Sequence, residues 1–257
     1  MSTNEERLQI RVYGDASLPT LIYLPGIHGD WTLVPKFRKA LNGRVRFVEF
    51  TYPRTLSWSL NDYAEAVEKS LDEHGITGGW LLGESFGSQI CWPVFSRKKF
   101  RVEGIVLAGG FVRHPIPWLV RFSGFLGRCL PMAMFRLALR GYRLFTKLRY
   151  GNDPEMKKSV EEFLARRTEL DRRAIRHRIK LIYENNPGEI ARAIVIPVFY
   201  VTGFIDPIVA WFPVRRWLRK NCPAFRGFKM FLMADHHVLG TASDAAAEQI
   251  LRWMTKP

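Results

Sequence analysis

Short apolar runs rich in β-branched residues, each trailed by a stretch of helical periodicity, recur along this chain, and that alternation restricts its fold more than any other feature. Residues 21–24, 45–50, 80–82, 104–108, 198–201 and 228–232 are the candidate strands. Strands separated by helices run mostly parallel, because a parallel neighbour is reached only by a long crossover, and the helices then cover both faces of the sheet. Residues 9–12 add a candidate antiparallel edge. One crossover helix is legible in detail. Leu60, Tyr63, Ala64, Val67 and Leu71 share a face at helical spacing, Ser59 stands where a cap is needed, and Gly75 ends the run.

From about residue 113 to 193 the alternation lapses, and a helical, Arg-rich stretch intervenes before the strand pattern resumes after Pro197. The expected organisation is an α/β core formed by residues 1–112 and 194–257, with 113–193 inserted as a helical cap. A chain of 257 residues, 47% hydrophobic and 25% charged, is long and apolar enough for one such core with an accessory segment. Within the insertion Met134, Leu137, Ala138, Phe145 and Leu148 fall on one helix face, and Arg136, Arg140, Arg143 and Lys147 on the other. Phe122, Phe125, Phe135 and Phe145 are expected in the core of the cap.

A formal net charge of +15 produces a field that draws nucleic acid, anionic lipid or acidic proteins. Residues 113–149 hold eight Lys or Arg and no Asp or Glu, so much of the excess belongs to the cap. That face is either simply solvated, or it meets an anionic membrane surface, an acidic carrier or an acidic substrate. Nucleic acid is disfavoured, since the cap aromatics are expected to pack inward rather than to form a stacking platform. The three cysteines, Cys91, Cys129 and Cys222, have neither the even count of a disulfide framework nor the spacing of a zinc site. Residues 1–9 are polar and of mixed charge, unlike a secretory leader. The longest run without a charged side chain, residues 16–29, is 14 residues broken by Pro and Gly, too short to span a bilayer. A cytoplasmic location is expected.

Gly83-Glu84-Ser85-Phe86-Gly87 has the form G-x-S-x-G and stands between a candidate strand and a helix-compatible stretch. By chance the bare pattern arises in roughly one chain in ten of this length, so its weight comes from that setting. A sharp strand-to-helix turn strains the serine backbone and lifts its hydroxyl into reach of substrate, while the flanking glycines let strand and helix approach. A hydroxyl is a weak nucleophile without a base, and the base needs an orienting group. Both residue types follow in order. Asp206 lies just beyond the strand at 198–201, and His236 just beyond the strand at 228–232, at the carboxyl ends where open α/β sheets build their sites. His237 is the neighbouring alternative to His236. Residues 108–114, the other strand end where an acid could sit, contain no carboxylate.

With these motifs the sequence resembles the α/β-hydrolase superfamily, especially its capped, esterase-like members, over nearly the whole chain outside the cap. The resemblance implies an α/β-hydrolase fold and a catalytic triad of Ser85, Asp206 and His236. In that family an oxyanion donor follows a His-Gly pair after an early strand. Aligning Pro25-Gly26 with that pair makes Ile27 a donor through its backbone N–H, partnered by the N–H of Phe86. Proline replaces the family's usual His there, and Asp235 replaces the usual Gly before the catalytic His. Serine at the elbow argues against the capped epoxide hydrolases and haloalkane dehalogenases, which use Asp as nucleophile. Acyl transfer in two steps follows, needing no metal and no organic cofactor, on a carboxylic ester or thioester of an apolar acyl group. Competing expectations are a non-catalytic binding protein on the same scaffold, working through the basic cap, and an acyltransferase, lyase or C–C hydrolase using the same triad. Glu84 is expected to touch a neighbouring strand, and His28 and His114 to be supporting or surface groups.

Overall fold

The computed structural model describes residues 7–122 and 154–256, with Met134, Leu137, Arg140, Gly141 and Leu144 between them. Seven strands form one sheet: β1 (Gln9–Tyr13), β2 (Thr20–Leu24), β3 (Arg46–Thr51), β4 (Gly78–Glu84), β5 (Arg101–Ala108), β6 (Val198–Gly203) and β7 (Phe225–Phe231). Their spatial order is β1-β3-β2-β4-β5-β6-β7. Only β1 runs antiparallel, pairing with β3, and every other neighbour pair is parallel. The chain belongs to the α/β class that the alternation predicts. The last strand begins three residues before the expected 228, because Arg226 and Lys229 interrupt its apolar run.

The complete helices among the described residues are α1 (Pro35–Ala40), α2 (Leu60–Glu73), α3 (Gly87–Arg97), α4 (Pro154–Ala165), α5 (Glu169–Glu184), α6 (Gly188–Ala193), α7 (Trp211–Asn221), α8 (Val238–Thr241) and α9 (Ser243–Thr255). Helix α2 starts at Ser59 through a reciprocal cap, in which the Ser59 hydroxyl accepts from the Asp62 amide and the Asp62 carboxylate accepts from the Ser59 amide. Gly75 just beyond its end has φ +64°, a left-handed turn that stops the helix.

Alternation along each strand feeds two cores. Ile22, Leu81, Ile105, Leu107 and Tyr200 face a layer completed by α2, α3 and α7. Leu21, Tyr23, Leu82, Val106 and Val201 face the other, completed by α1, α8 and α9. Strands β5 and β6 are direct neighbours, so residues 109–197 leave the sheet at the carboxyl end of one strand and return to the amino end of the next. Within that excursion no strand occurs among the described residues.

The amphipathic face expected around residues 134–148 lies largely outside the described residues, as do Phe125, Phe135, Phe145 and Cys129. Of its described members Met134 and Leu137 are exposed, and so is Arg140. Phe122 corrects the expectation of a buried cap aromatic: it is 54% exposed. Among the described residues no helix is long and apolar enough to cross a membrane.

Candidate active site

Strand β4 ends at Glu84 and α3 begins at Gly87, leaving two residues to reverse the chain direction. Ser85 takes up the turn with φ +49°, in the left-handed region where a side chain is held only if its surroundings fix it. Those surroundings are tight. A Cβ on Gly87 would lie 2.0 Å from the Leu24 carbonyl oxygen, and one on Gly83 would lie 2.7 Å from Ser88 Cα. The Ser85 amide donates to the Ala108 carbonyl at 2.9 Å, and the Ser88 hydroxyl donates to the Ser85 carbonyl at 2.6 Å. Phe111 anchors Ser88 in turn through its amide, 3.1 Å from the Ser88 hydroxyl.

The loops after β6 and β7 bring the other two predicted side chains to this hydroxyl. His236 Nε2 is 2.8 Å from Ser85 Oγ, and His236 Nδ1 is 2.8 Å from Asp206 Oδ2. Asp206 is fixed by its second oxygen, which accepts from the Ile208 and Val209 amides at 2.8 and 2.9 Å. A carboxylate only accepts, so Nδ1 carries the imidazole proton and Nε2 is left to accept from the serine hydroxyl. His237 points elsewhere, toward Glu84.

The loop at residues 25–29 passes beside the serine: a Cβ on Gly26 would stand 3.6 Å from Ser85 Cβ. Among the described residues neither the Ile27 nor the Phe86 amide has a protein acceptor. The positive end of α3 also opens at this spot. Two arginines from the α4–α5 region hold the loop from behind. Arg178 on α5 is 2% exposed and donates to the Ile27 carbonyl at 2.9 Å and to the Pro53 carbonyl at 3.0 Å. Arg167 donates to the His28 carbonyl at 3.4 Å and pairs with Asp30. The sequence places both arginines in the Arg-rich insertion at 113–193 and gives neither a role. Nothing in the local pattern distinguishes Arg178 from its exposed neighbours except its place among the buried positions of α5, beside Ala174 and Ile182.

A family model described as the alpha/beta hydrolase family matches residues 22–252. The chain belongs to that family. No curated protein matches its sequence significantly. Among solved structures it is similar to a hydrolase from Pseudomonas aeruginosa PA01, at 17% identity and a TM-score of 0.77, covering 96% of this chain and 93% of that one. An enol-lactonase from Burkholderia xenovorans LB400 is similar at 16% identity and a TM-score of 0.78, covering 97% and 96%. So is a thermophilic esterase from Thermogutta terrifontis, at 15% identity and a TM-score of 0.76, covering 97% and 93%. At these identities the likeness is one of fold.

In this α/β hydrolase a second set of titratable groups lies behind the first. Glu84, 3% exposed, accepts from the Tyr23 hydroxyl on β2, the neighbouring strand, and its other oxygen stands 3.6 Å from His237 Nδ1. Burial pushes the Glu84 carboxyl up, but the His237 imidazole and the Tyr23 hydroxyl outweigh burial and hold it below its ordinary value. Burial pushes His237 down, and Glu84 reverses that, so its imidazole titrates above the ordinary value. His28, packed edge-on against Phe163, is held well below the ordinary value by burial first and then by Arg167. His114, 6% exposed, is lowered by burial, and its Nδ1 accepts from the Ile116 amide at 3.1 Å. The sequence offers these histidines but not this wiring.

Proposed function

We propose that the protein is a serine hydrolase that cleaves a carboxylic ester or thioester of an apolar acyl group through an acyl-enzyme. The observation that carries this reading is the unbroken line from Ser85 Oγ through His236 to Asp206, two contacts of 2.8 Å each, at the carboxyl end of the sheet. In this scheme His236 Nε2 takes the proton as Ser85 attacks the acyl carbon. Asp206 holds the tautomer and stabilises the imidazolium without itself taking the proton. Charge developing on the carbonyl oxygen is received by the Ile27 and Phe86 amides, whose free hydrogens support that role, together with the positive end of α3. His236 then returns its proton to the leaving group, and water repeats the attack with the same base. Residues 113–193 form the cap over the acyl group in this scheme.

The test is labelling by a fluorophosphonate probe, with turnover of aryl esters graded from acetate to long-chain acyl. Wild type is expected to label and to show a chain-length optimum, and Ser85→Ala to lose both. Undiminished labelling of Ser85→Ala would overturn the assignment.

A further inference from the structure

The two loops that carry Asp206 and His236 also carry exposed apolar side chains. Phe204, Ile205 and Ile208 follow β6, Phe212 opens α7, and Leu232 and Met233 follow β7. Their exposures run from 48% at Ile205 to 77% at Met233. These loops are not loose, since the Phe204 amide donates to the Phe231 carbonyl at 2.9 Å and the Ile205 amide to the Ala234 carbonyl at 3.0 Å. The Phe204 and Trp211 rings lie 6.3 Å apart, and Trp211 meets Phe212 at 5.9 Å. The apolar tips therefore form one held platform at the rim of the site. A platform of this kind on a water-facing rim marks a contact surface.

The chain that carries it is mostly basic, although half-buried Asp235 stands two residues beyond Met233. Between residues 204 and 233 stand Arg215, Arg216, Arg219, Lys220, Arg226 and Lys229, against a single acid, Asp206, whose side chain is fully buried on His236. Along α7, Phe212, Arg216, Arg219 and Lys220 share one exposed face at i, i+4, i+7 and i+8. Arg216 stands about 6 Å behind Phe212 along the helix axis. Anchoring elements sink about 5–10 Å into the boundary between headgroups and acyl chains, so an inserted Phe212 leaves these cations level with the headgroups. Beyond β5 the same rim presents Trp118, 70% exposed, and Phe122, with exposed Arg113 and Arg121 beside them.

We propose that this rim docks on an anionic lipid surface, its apolar tips entering the interface and the α7 cations meeting the headgroups. A second copy of the chain fits less well. A twofold contact would set the α7 cations against themselves, and like charges face to face oppose association. Docking stands on the rim alone. That the lipid phase also supplies the acyl substrate rests on the ester-hydrolase reading.

The experiment is sedimentation of the full chain with vesicles of phosphatidylcholine, alone or mixed with an equal part of phosphatidylglycerol, across a salt series. Wild type is expected to bind the mixed vesicles, more weakly but still measurably as salt rises. The Phe212→Ser, Leu232→Ser double variant is expected to lose ~10- to 100-fold in partition, and Arg216→Glu with Arg219→Glu about tenfold or more. Both are expected to keep wild-type turnover of a water-soluble aryl acetate, which also shows that they fold. If the serine pair does not fold, the charge-reversal pair and the salt series decide. Failure of wild type to bind at low salt, wild-type partition by the variants, or a dimer in solution that the rim changes dissolve would overturn the proposal. Binding that ignores the serine changes and vanishes at moderate salt would reduce it to unspecific adsorption, which also overturns it. Ser85→Ala is expected to bind as wild type. An inactive wild type that still binds would defeat the hydrolase reading and leave docking intact.

Discussion

Replacing Arg178 with Met tests whether a buried guanidinium holds the loop beside Ser85. The side chain is 2% exposed and donates to two backbone carbonyls, Ile27 at 2.9 Å and Pro53 at 3.0 Å, with a weaker contact to the Tyr63 hydroxyl at 3.4 Å. Among the described residues it pairs with no carboxylate. A hydrogen bond to a charged group contributes about 1.5–3 kcal/mol, and a buried carbonyl left without a donor costs about 1–3 kcal/mol. Two such carbonyls are orphaned, while removing a buried charge recovers part of the loss. A net destabilisation of about 3 kcal/mol is expected, which for a chain of this size lowers Tm by about 6–12 °C. The kinetic effect separates clamp from scaffold. If Arg178, by holding the Ile27 carbonyl, also fixes the adjacent Gly26–Ile27 peptide whose N–H is the proposed oxyanion donor, its loss displaces that donor and lowers kcat by about 100-fold or more, with KM little changed. Arg178→Lys keeps the charge but not the two-carbonyl span, and should fall between. Thermal denaturation and steady-state kinetics on a soluble aryl ester supply both readouts. A wild-type kcat in a destabilised Arg178→Met would refute the positioning role, and a wild-type Tm as well would refute the energetic argument.

Gly87→Ala pushes a methyl to 2.0 Å from the Leu24 carbonyl oxygen and 2.9 Å from that of Pro25, both backbone atoms that cannot step aside. It is expected to cost about 3 kcal/mol and most of the activity, and an active variant of wild-type stability in urea would contradict the close approach described here. The Glu84–His237 pair predicts a pH window. Glu84 is lowered from 4.5, so its contribution is present above that value and lost as pH falls through the lowered one. His237 is raised from 6.5, so its contribution is full below that value and lost as pH rises through the raised one. Glu84→Gln should therefore be most costly between pH 4.5 and 6.5. Its deficit should shrink toward alkaline pH, and a deficit flat across denaturation curves from pH 5 to 9 would count against the ion pair.

Much of this molecule is legible locally. Leu21 to Leu24 and Trp80 to Leu82 are uninterrupted apolar runs because both faces of central parallel strands are covered, and Ser59 and Gly75 mark the ends of α2 by their own chemistry. Ser85, Asp206 and His236 are legible because each follows such a run at the same end of the sheet. The start of β7 is not, since the exposed Arg226 and Lys229 break the apolar run by which a strand is read. Arg178 and Arg167 are not legible either. Their carbonyl partners lie about 125–150 residues away, and nothing in the adjacent sequence marks which guanidinium will turn toward them. Phe122 is the opposite case: an aromatic in an apolar stretch reads as core, yet it is exposed.

Ser85 directly follows β4, which is braced by β2 and β5, whereas its two partners hang from β6 and from β7, which has a neighbour on one side only. Peripheral strands fray before central ones, because fewer ladder bonds must break. The proposed triad thus spans the centre of the sheet and one of its two edges. Loosening of β7 would disconnect the imidazole while most of the chain stays native, so the proposed activity should fade ahead of global unfolding and return on cooling without the chain having to refold.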